Sequence, residues 1–589
     1  MDINRSHIPS GAMLPWRGAQ KPAVPRGMHA WLQLPSALLQ TRYRLKAVER
    51  TFGEAEEAAA IQAVLRQWGT REHEFHAHYL IAQPHAGEPC YHISEYVQRC
   101  VAGELAIAER LRGRTMLHLY QTEEQGTPDL LSATGVSVFI EQVLLAYLNA
   151  HGKASLIGFA CELPRFLSIL ESEPDSVPWS RTLENAVQSY LPLVFYETYD
   201  SAAVRSTFWR AVTMQFANCF LAGVRDFCHQ EGLRFAVSIS ESARTLEFEL
   251  GAMLAEVDCP VLHLSDKQIA RLESAPTGRT ARRFVVAKWV SSNARYAGLS
   301  RKGSGQLKQF LQDVALGFNL SVSGSPSPFR EELLAIGYPK RQLLMLAPTQ
   351  SLWTKPDEKQ WNYLTKGWGW LCQTVSQLGY DFRIVSEGEL RLATVDKKCR
   401  GLYFNEPADV YRVVLLPSCI SLQEETVNCL RAFTKAKGKL IANEPVPYLL
   451  NGRIGLKPYP LEQLIYGRRT TILRGPLGER EAALKKYLRK WVTRVISVYA
   501  KPENEPTLAL RLQHRVTEEA ELFYLYNATR EPIDVLIEMR GTSKSVEEYC
   551  LLEGTRTALD FWHADGQTYL NCAFVPEQAR LFVRRNSTR

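Results

Sequence analysis

Much that would classify a chain at a glance is missing here. None of the twelve cysteines stands in a C-x-x-C pair, which removes the commonest zinc and dithiol signatures. Their spacing is irregular, so free buried thiols of a reducing cytoplasm are expected rather than a disulfide framework. No uninterrupted apolar run approaches the ~20 residues of a membrane span. The opening stretch MDINRSHIPSGAMLPWRGAQKPAVPRG lacks the apolar core of a signal peptide and reads as a Pro/Gly-rich leader over residues 1–27. Neither an internal repeat nor a low-complexity tract occurs. The formal charge of +8 is thinly spread. Arg282-Arg283 and Arg301-Lys302 are the densest basic spots, and no aromatic interleaving accompanies them, so nucleic acid is not an expected partner. No membrane is expected either.

What is present is ordinary for a soluble globular protein: 46% apolar and 22% charged residues in 589. That length is too great for one hydrophobic core, so two to four domains are expected (roughly 100–200 residues each). From residue 28 to 335 short apolar runs alternate with helical patterns. Strands are expected at Met28–Leu34, Glu74–Ile81, Thr115–Tyr120, Ser155–Ala160, Arg234–Ile239, Val261–Leu264, Phe284–Val286 and Phe318–Val322. Helices are expected at Ser94–Arg112, Val136–Asn149 and Arg205–Glu231, the last two closed by Gly152 and Gly232. The fold class is therefore α/β, with eight strands suiting a (β/α)8 TIM-type barrel and a doubly wound open sheet as the competing architecture.

Residues 336–505 read as a smaller α/β domain with a helical extension. Strand RQLLMLAP, helix Trp361–Leu378, strand DFRIVS, strand RVVLLP, helix Leu422–Lys437 and strand KLIANEP follow in order. From 506 to 589 the pattern changes to short alternating runs separated by turn signals. Asp565-Gly566 marks a tight hairpin. A C-terminal antiparallel β-sandwich is expected there.

The stretch Leu156–Phe166, LIGFACELPRF, carries the most information. Its apolar run reads as a buried parallel strand, ends at Glu162, and is broken by Pro164. A carboxylate at the C-terminal end of a parallel strand stands where open α/β sheets and barrels do their chemistry. Glu241 ends the run FAVSIS in the same way. His76 and His78 alternate along one strand and so share a face. With His118 they form a histidine-rich wall suited to a metal or to hydroxyl groups, although no third ligand has convincing metal spacing. Trp31, Tyr79, Tyr120 and Trp289 fall at or near predicted strand ends, and His263 follows in VLHL. Cys419 in LLPSCIS lacks the glycines of a nucleophile elbow, so this segment reads as structural.

The order of barrel, α/β domain and sandwich resembles bacterial glycoside hydrolases. The nearest likeness is to the α-L-rhamnosidase-like group around family 106, and a more distant one is to family 42 β-galactosidases, over about residues 70 to 585. YHISEYVQRCVAGELAIAERLRGRTMLHLY is similar to that group's helix and third strand, and LIGFACELPRF to its fourth. VRSTFWRAVTMQFANCFLAGVRDFCHQEGLRFAVSI is similar to its long helix and fifth strand. RQLLMLAPTQSLW through VVLLPSCISLQEETVNCLRAFTKAKGKLIANEP is similar to its glutamine-amidotransferase-like domain.

The resemblance implies a cytoplasmic bacterial enzyme that cleaves a small oligosaccharide or glycoside with two carboxyl groups. Glu162 would protonate the leaving oxygen, sheltered by Phe159 and Phe166, and Glu241 would be its partner. Trp31, His76, His78, Tyr120, Glu123, His263 and Trp289 would contact the sugar. No cofactor is expected, with calcium admitted by the resemblance alone, and a homo-oligomer is admitted too. Tyr120 is followed by Gln121-Thr122 where the group carries an acidic pair. Gly298–Lys302 holds no acid where it shows Ser-Glu. These departures keep a second reading open, a degenerate relative that binds carbohydrate or a protein partner without cleaving it.

Overall fold

The computed structural model describes residues 30–34, 39, 42–69, 75–81, 90–124, 126–154, 156–163, 176–184, 188–197, 200–239, 249–264, 278–293, 298–301, 314, 318, 320–321, 334, 336–354, 358–398, 400–404, 410–454, 459–502, 505–507, 509–551 and 553–586. The chain divides into two compact units. One comprises Met1–Phe235 with Trp353–Lys355, the other Ala236–Leu352 with Pro356–Arg589.

The first unit combines a parallel strand pair with an antiparallel sheet. Strand β1 (Ala30–Gln33) runs parallel to Leu156–Glu162. The antiparallel sheet is built from β2 (Tyr43–Thr51), β3 (His76–Ile81), β4 (Cys90–His92), β5 (Thr115–Glu123) and Ser176–Trp179, with β5 between β3 and β2. Two of the expected barrel strands, Glu74–Ile81 and Thr115–Tyr120, therefore belong to this antiparallel sheet. The sequence HAHYLI does not announce this: Ala77, His78 and Tyr79 are all buried, so both faces of the strand are covered, as they would be in a parallel sheet. Strands Tyr43–Thr51 and Ser176–Trp179 were not expected.

Helix Ala58–Gly69 packs on this sheet through Ile61, Leu65 and Trp68, joined by Val97, Cys100, Ala108 and Met116. Each large apolar side chain so buried contributes about 1.5–3 kcal/mol. The helical stretch Ala133–Ala150 is long and apolar enough to cross a membrane by length and composition, which the sequence reading did not foresee. Here its Phe139 lies edge-on to Phe220, with ring centroids 5.6 Å apart. Strand Leu156–Glu162 is β6, and Ser176–Trp179 is β7.

In the second unit, Ala236–Ile239 of β8 (Arg234–Ile239) runs parallel to Cys259–Leu264, with Ser238 opposite Val261. Cys259–Leu264 pairs in turn with Gly298–Arg301, and that with Leu320–Ser321, all parallel. Among the described residues these strands form no closed barrel. Phe284–Val286 is not a strand. It lies inside helix Gly278–Asn293, whose buried Val285, Val286, Trp289 and Val290 recur at helical spacing. A three-residue apolar run cannot by itself distinguish the two.

A five-stranded parallel sheet follows, in the spatial order Phe382–Val385, Leu343–Leu346, Val413–Leu416, Lys439–Asn443, Thr470–Leu473. Numbered along the chain this is 2-1-3-4-5, a doubly wound order. Two antiparallel sheets complete the unit. Ile496, Val535, Ile537, Leu570 and Phe574 from one pack with Phe523, Leu525, Val546 and Phe582 from the other. The sandwich begins before residue 506, because Ile496–Ala500 is hydrogen-bonded to Ile533–Arg540. Asp565 (φ 50°) and Gly566 (φ 71°) turn the hairpin between Trp562–Ala564 and Gln567–Phe574. Positive φ at both central residues is what a tight two-residue hairpin requires.

Candidate functional site

Strand β6 fixes the position of Glu162. Leu32 lies opposite Phe159 and Gln33 opposite Ala160. The Leu34 N–H donates to the Ala160 carbonyl at 2.7 Å. Side chains of a strand alternate between faces. Phe159 packs against Phe227, with centroids 6.3 Å apart. Cys161 is fully buried, and burial, with Cys228 and Glu162 nearby, pushes its thiol up. Phe227 and Cys228 both belong to helix Ala222–Gln230. Gly158, Ala160 and Glu162 therefore occupy the face turned away from that helix. Gly158 must be glycine, since a Cβ there would come within 1.8 Å of the Arg234 carbonyl oxygen. Glu162 ends the strand and is exposed. A strand's C-terminal end, on the face away from the helix, is where barrel enzymes present their acids.

The shelter expected from Phe159 is not there, because that ring packs on the opposite face of the strand. Phe166 and Arg165 lie outside the described residues, as does Glu241, which follows β8 by two positions. Trp31 sits in β1 opposite Gly158, and His263 sits opposite Ser300. The side chains of both lie outside the described residues.

The expected histidine wall is real, but most of it is core. His78 and His118 face each other across β3 and β5. Their rings stack at 4.6 Å and 5°. Trp68 covers both, at 6.0 Å and 5.1 Å, and Tyr120 lies 5.2 Å from His118. His78 is only 3% exposed, and neither of its ring nitrogens has a hydrogen-bond partner. Burial, reinforced by His76 and His92, pushes it down to about 4. A buried ring stack under a tryptophan is a packing element, so His78 and Tyr120 are not surfaces that a sugar reaches. His76, at the end of the same face, is exposed. Among the described residues no group of three or more ligating side chains could hold a metal.

Glu123 ends β5 in a two-pronged ion pair with Arg42, at 2.7 and 2.9 Å. It stands on a strand of the antiparallel sheet. Trp289 is wholly buried in helix Gly278–Asn293, edge-on to Trp368 at 5.4 Å. It is a core residue and not a cleft aromatic. Asp129 escaped the sequence reading. It is buried and accepts from Ser180 Oγ (2.9 Å) and the Leu131 N–H (3.1 Å). Burial raises its carboxyl, and the two hydrogen bonds and Arg42 act against that. No local signal marks it, since Ser180 lies far along the chain. Cys419 is fully buried, and burial, with Glu387 beside it, raises its thiol well above the usual range. That agrees with a structural role.

No protein-family profile matches the chain. It is 23% identical over 433 residues to a Formosa agariphila protein described as "Putative beta-glucuronidase", covering 68% of this chain and 36% of that protein. The chain thus spans about a third of that curated relative's length. Among solved structures it is similar to a rhamnosidase from Novosphingobium sp. PP1Y, at a TM-score of 0.54 and 14% identity, covering 85% of this chain and 53% of that one. It is also similar to a β-galactosidase from Rahnella sp. R3, at a TM-score of 0.48 and 11% identity, covering 77% and 82%. The likeness to the rhamnosidase is one of fold, and it joins this mixed α/β chain to a protein named as a glycosidase.

Proposed function

We propose that the protein is a glycoside hydrolase that cleaves a small oligosaccharide or glycoside, with Glu162 as one of its two working carboxyl groups. The observation that carries this reading is the placement of Glu162, exposed at the C-terminal end of β6 on the face away from helix Ala222–Gln230. The relatives named as a glucuronidase and a rhamnosidase support it and suggest the first substrates to try. In this reading Glu162 protonates the glycosidic oxygen. A sugar seated over the carboxyl strips water from it, the condition under which it keeps its proton. Glu241 is the partner acid. A separation of about 5–5.5 Å between the two gives a nucleophile and retention, and about 6.5–9.5 Å gives a water-activating base and inversion.

The test is a panel of aryl glycosides that includes a β-glucuronide and an α-L-rhamnoside, run beside Glu162→Gln. Hydrolysis by the wild type that falls at least a hundredfold in a folded variant supports the proposal. Retention of wild-type rates in the variant removes Glu162 from the chemistry.

A second reading rests on Glu123. The acid that ends β5 is engaged by Arg42 on the antiparallel sheet, which favours a relative that binds carbohydrate or a protein partner without cleaving it. Saturable glycan binding with no turnover on any substrate selects this reading.

A further inference from the structure

The outer face of the sandwich sheet that contains Ile533–Arg540 is not an ordinary solvated surface. Burial alternates along its strands: Val535, Ile537 and Met539 point into the core, as do Leu570, Cys572 and Phe574 of Gln567–Phe574. The residues between them therefore stand on the solvent side. Strand pairing lines up one such row across the sheet. Ser497 stands opposite Glu538, Glu538 opposite Tyr569, and Tyr569 opposite Trp562. Trp562 is 43% exposed, whereas Trp289 and Trp368 are wholly buried. A tryptophan used for packing is covered; this one lies open on the edge strand Trp562–Ala564.

The fold holds this row in place. The Trp562 and Tyr569 rings run nearly parallel, 20° apart in plane with centroids 5.8 Å apart, and form one apolar strip. The strand that carries Trp562 is pinned from its other side, where His563 Nε2 accepts from the Ser543 N–H at 3.1 Å. Beside the rings, Glu538 Oε2 accepts from Tyr499 Oη at 2.7 Å, a bond that directs the carboxylate and engages one of its two oxygens. Asn571, two positions along from Tyr569 on the same side, is exposed.

An exposed aromatic strip beside oriented hydrogen-bonding groups fits a ligand that is part apolar and part hydroxylated. A pyranose is such a ligand: its C–H faces pack on rings, and its hydroxyls donate to a carboxylate. The charge of the face points the same way. The outward charged side chains of Ile533–Arg540 are Asp534, Glu538 and Arg540, two acids and one base. An anionic polymer or lipid surface meets no cationic excess there, whereas a neutral hydroxyl finds an acceptor. We propose that this face of the sandwich binds a neutral glycan chain, with sugar rings packed on Trp562 and Tyr569 and hydroxyls donating to Glu538. The proposal rests on the glycosidase reading only for the choice of probes and needs no cleavage at Glu162.

The test is isothermal titration of the full chain with cellohexaose, β-1,4-mannohexaose, β-1,4-galactohexaose and the anionic hexagalacturonate. Trp562→Ala, Glu538→Gln and Glu162→Gln are titrated in parallel after circular dichroism shows that they fold. The expected result is saturable binding of at least one neutral hexaose, weakened about threefold or more by Trp562→Ala and unchanged by Glu162→Gln. Hydrolysis of aryl glycosides is measured on the same samples. Loss of binding in Trp562→Ala with no turnover by any sample sinks the cleavage reading and leaves this one standing. No saturable binding of any neutral hexaose, a change of less than threefold in Trp562→Ala, loss of binding in Glu162→Gln, or tighter binding of hexagalacturonate than of every neutral probe overturns the proposal. Sedimentation velocity is run without sugar: self-association that Trp562→Ala abolishes, in a chain that binds no hexaose, assigns the face to a second copy instead. If Trp562→Ala fails to fold, Glu538→Gln decides by the same threefold threshold.

Discussion

The protein carries two edges of the kind where α/β folds place ligands, and they have been treated in opposite ways. At the end of β6 the chain presents an exposed carboxylate, Glu162. At the corresponding end of the five-stranded sheet, the crevice between Leu343–Leu346 and Val413–Leu416 is the topological switch point, and there the chain fills its own site. Ser351 Oγ accepts from the Ile420 and Ser421 N–H groups at 2.9 and 3.0 Å and donates to the Ser421 carbonyl at 3.1 Å. Glu387 accepts from the Gln423 N–H at 2.8 Å, and Gln423 Nε2 donates to Gln350. Asn443 donates to Ser418 Oγ, which donates to the Glu444 carbonyl. Topology marks both edges as suitable. At the second edge most of the named groups bond to one another, although Gln423 Oε1 is buried with no hydrogen-bond partner among the described residues, so the two edges differ in degree of filling.

The largest way to break this comparison is chemical. Glu162→Gln should lower kcat on a cleaved aryl glycoside by roughly 10²–10⁴, while unfolding free energy stays within about 0.5 kcal/mol, because the side chain is exposed. A destabilised variant would mean that the carboxylate is a brace. In the second unit the comparable insult is structural. Asp381→Ala leaves Lys288 and Arg341 buried without their counter-charge and should cost about 3–5 kcal/mol in a denaturant titration.

Acid should find the first unit's weak point. His78 is held at about 4 in the fold, below its ordinary 6.5. The folded state therefore favours the neutral ring. That contribution is present above pH 6.5 and is lost as pH falls from 6.5 towards 4, at most about 3 kcal/mol. His78→Phe should flatten the stability profile in that window, read by thermal melts from pH 7 to 4. An unchanged slope would place the acid sensitivity elsewhere. A smaller effect belongs to the filled edge: Ser351→Ala orphans two buried N–H groups and should cost about 1–3 kcal/mol.

How far the sequence foretold this follows from where each signal lies. Strands carried by uninterrupted apolar runs, such as Leu156–Cys161 and Leu343–Leu346, were legible, as was the Asp565-Gly566 hairpin, whose turn chemistry is local. HAHYLI does not reveal its antiparallel partners, because the strand is buried on both faces and a parallel strand would look the same. Phe284–Val286 reads equally well as strand or helix, because three residues are too few to show a period. At the site, Glu162 could be read from a strand that ends at an acid. The roles of Trp289, His78 and Tyr120 could not, since burial under Trp68 or against Trp368 depends on partners distant in sequence. Asp129 depends likewise on Ser180.

The smallest expected effect is also the most pointed, because it concerns a residue that looks reactive on paper. Cys419 follows the strand Val413–Leu416 at the switch point, where an amidotransferase-like chain would keep a nucleophile. Here its thiol is fully buried, and burial with the Glu387 carboxylate nearby raises it, so little thiolate forms near neutral pH. Iodoacetamide should therefore leave the Cys419 peptide unmodified in the native protein and label it after denaturation, as read by mass spectrometry. Cys419→Ala should leave glycoside hydrolysis unchanged and lower stability by no more than about 1–2 kcal/mol, the loss of one small buried group. Rapid labelling in the native state would mean that the second edge opens in solution. The contrast would then lie in how often each edge is exposed, and the polar plug of Ser351, Gln423 and Glu387 would be a gate over a nucleophile.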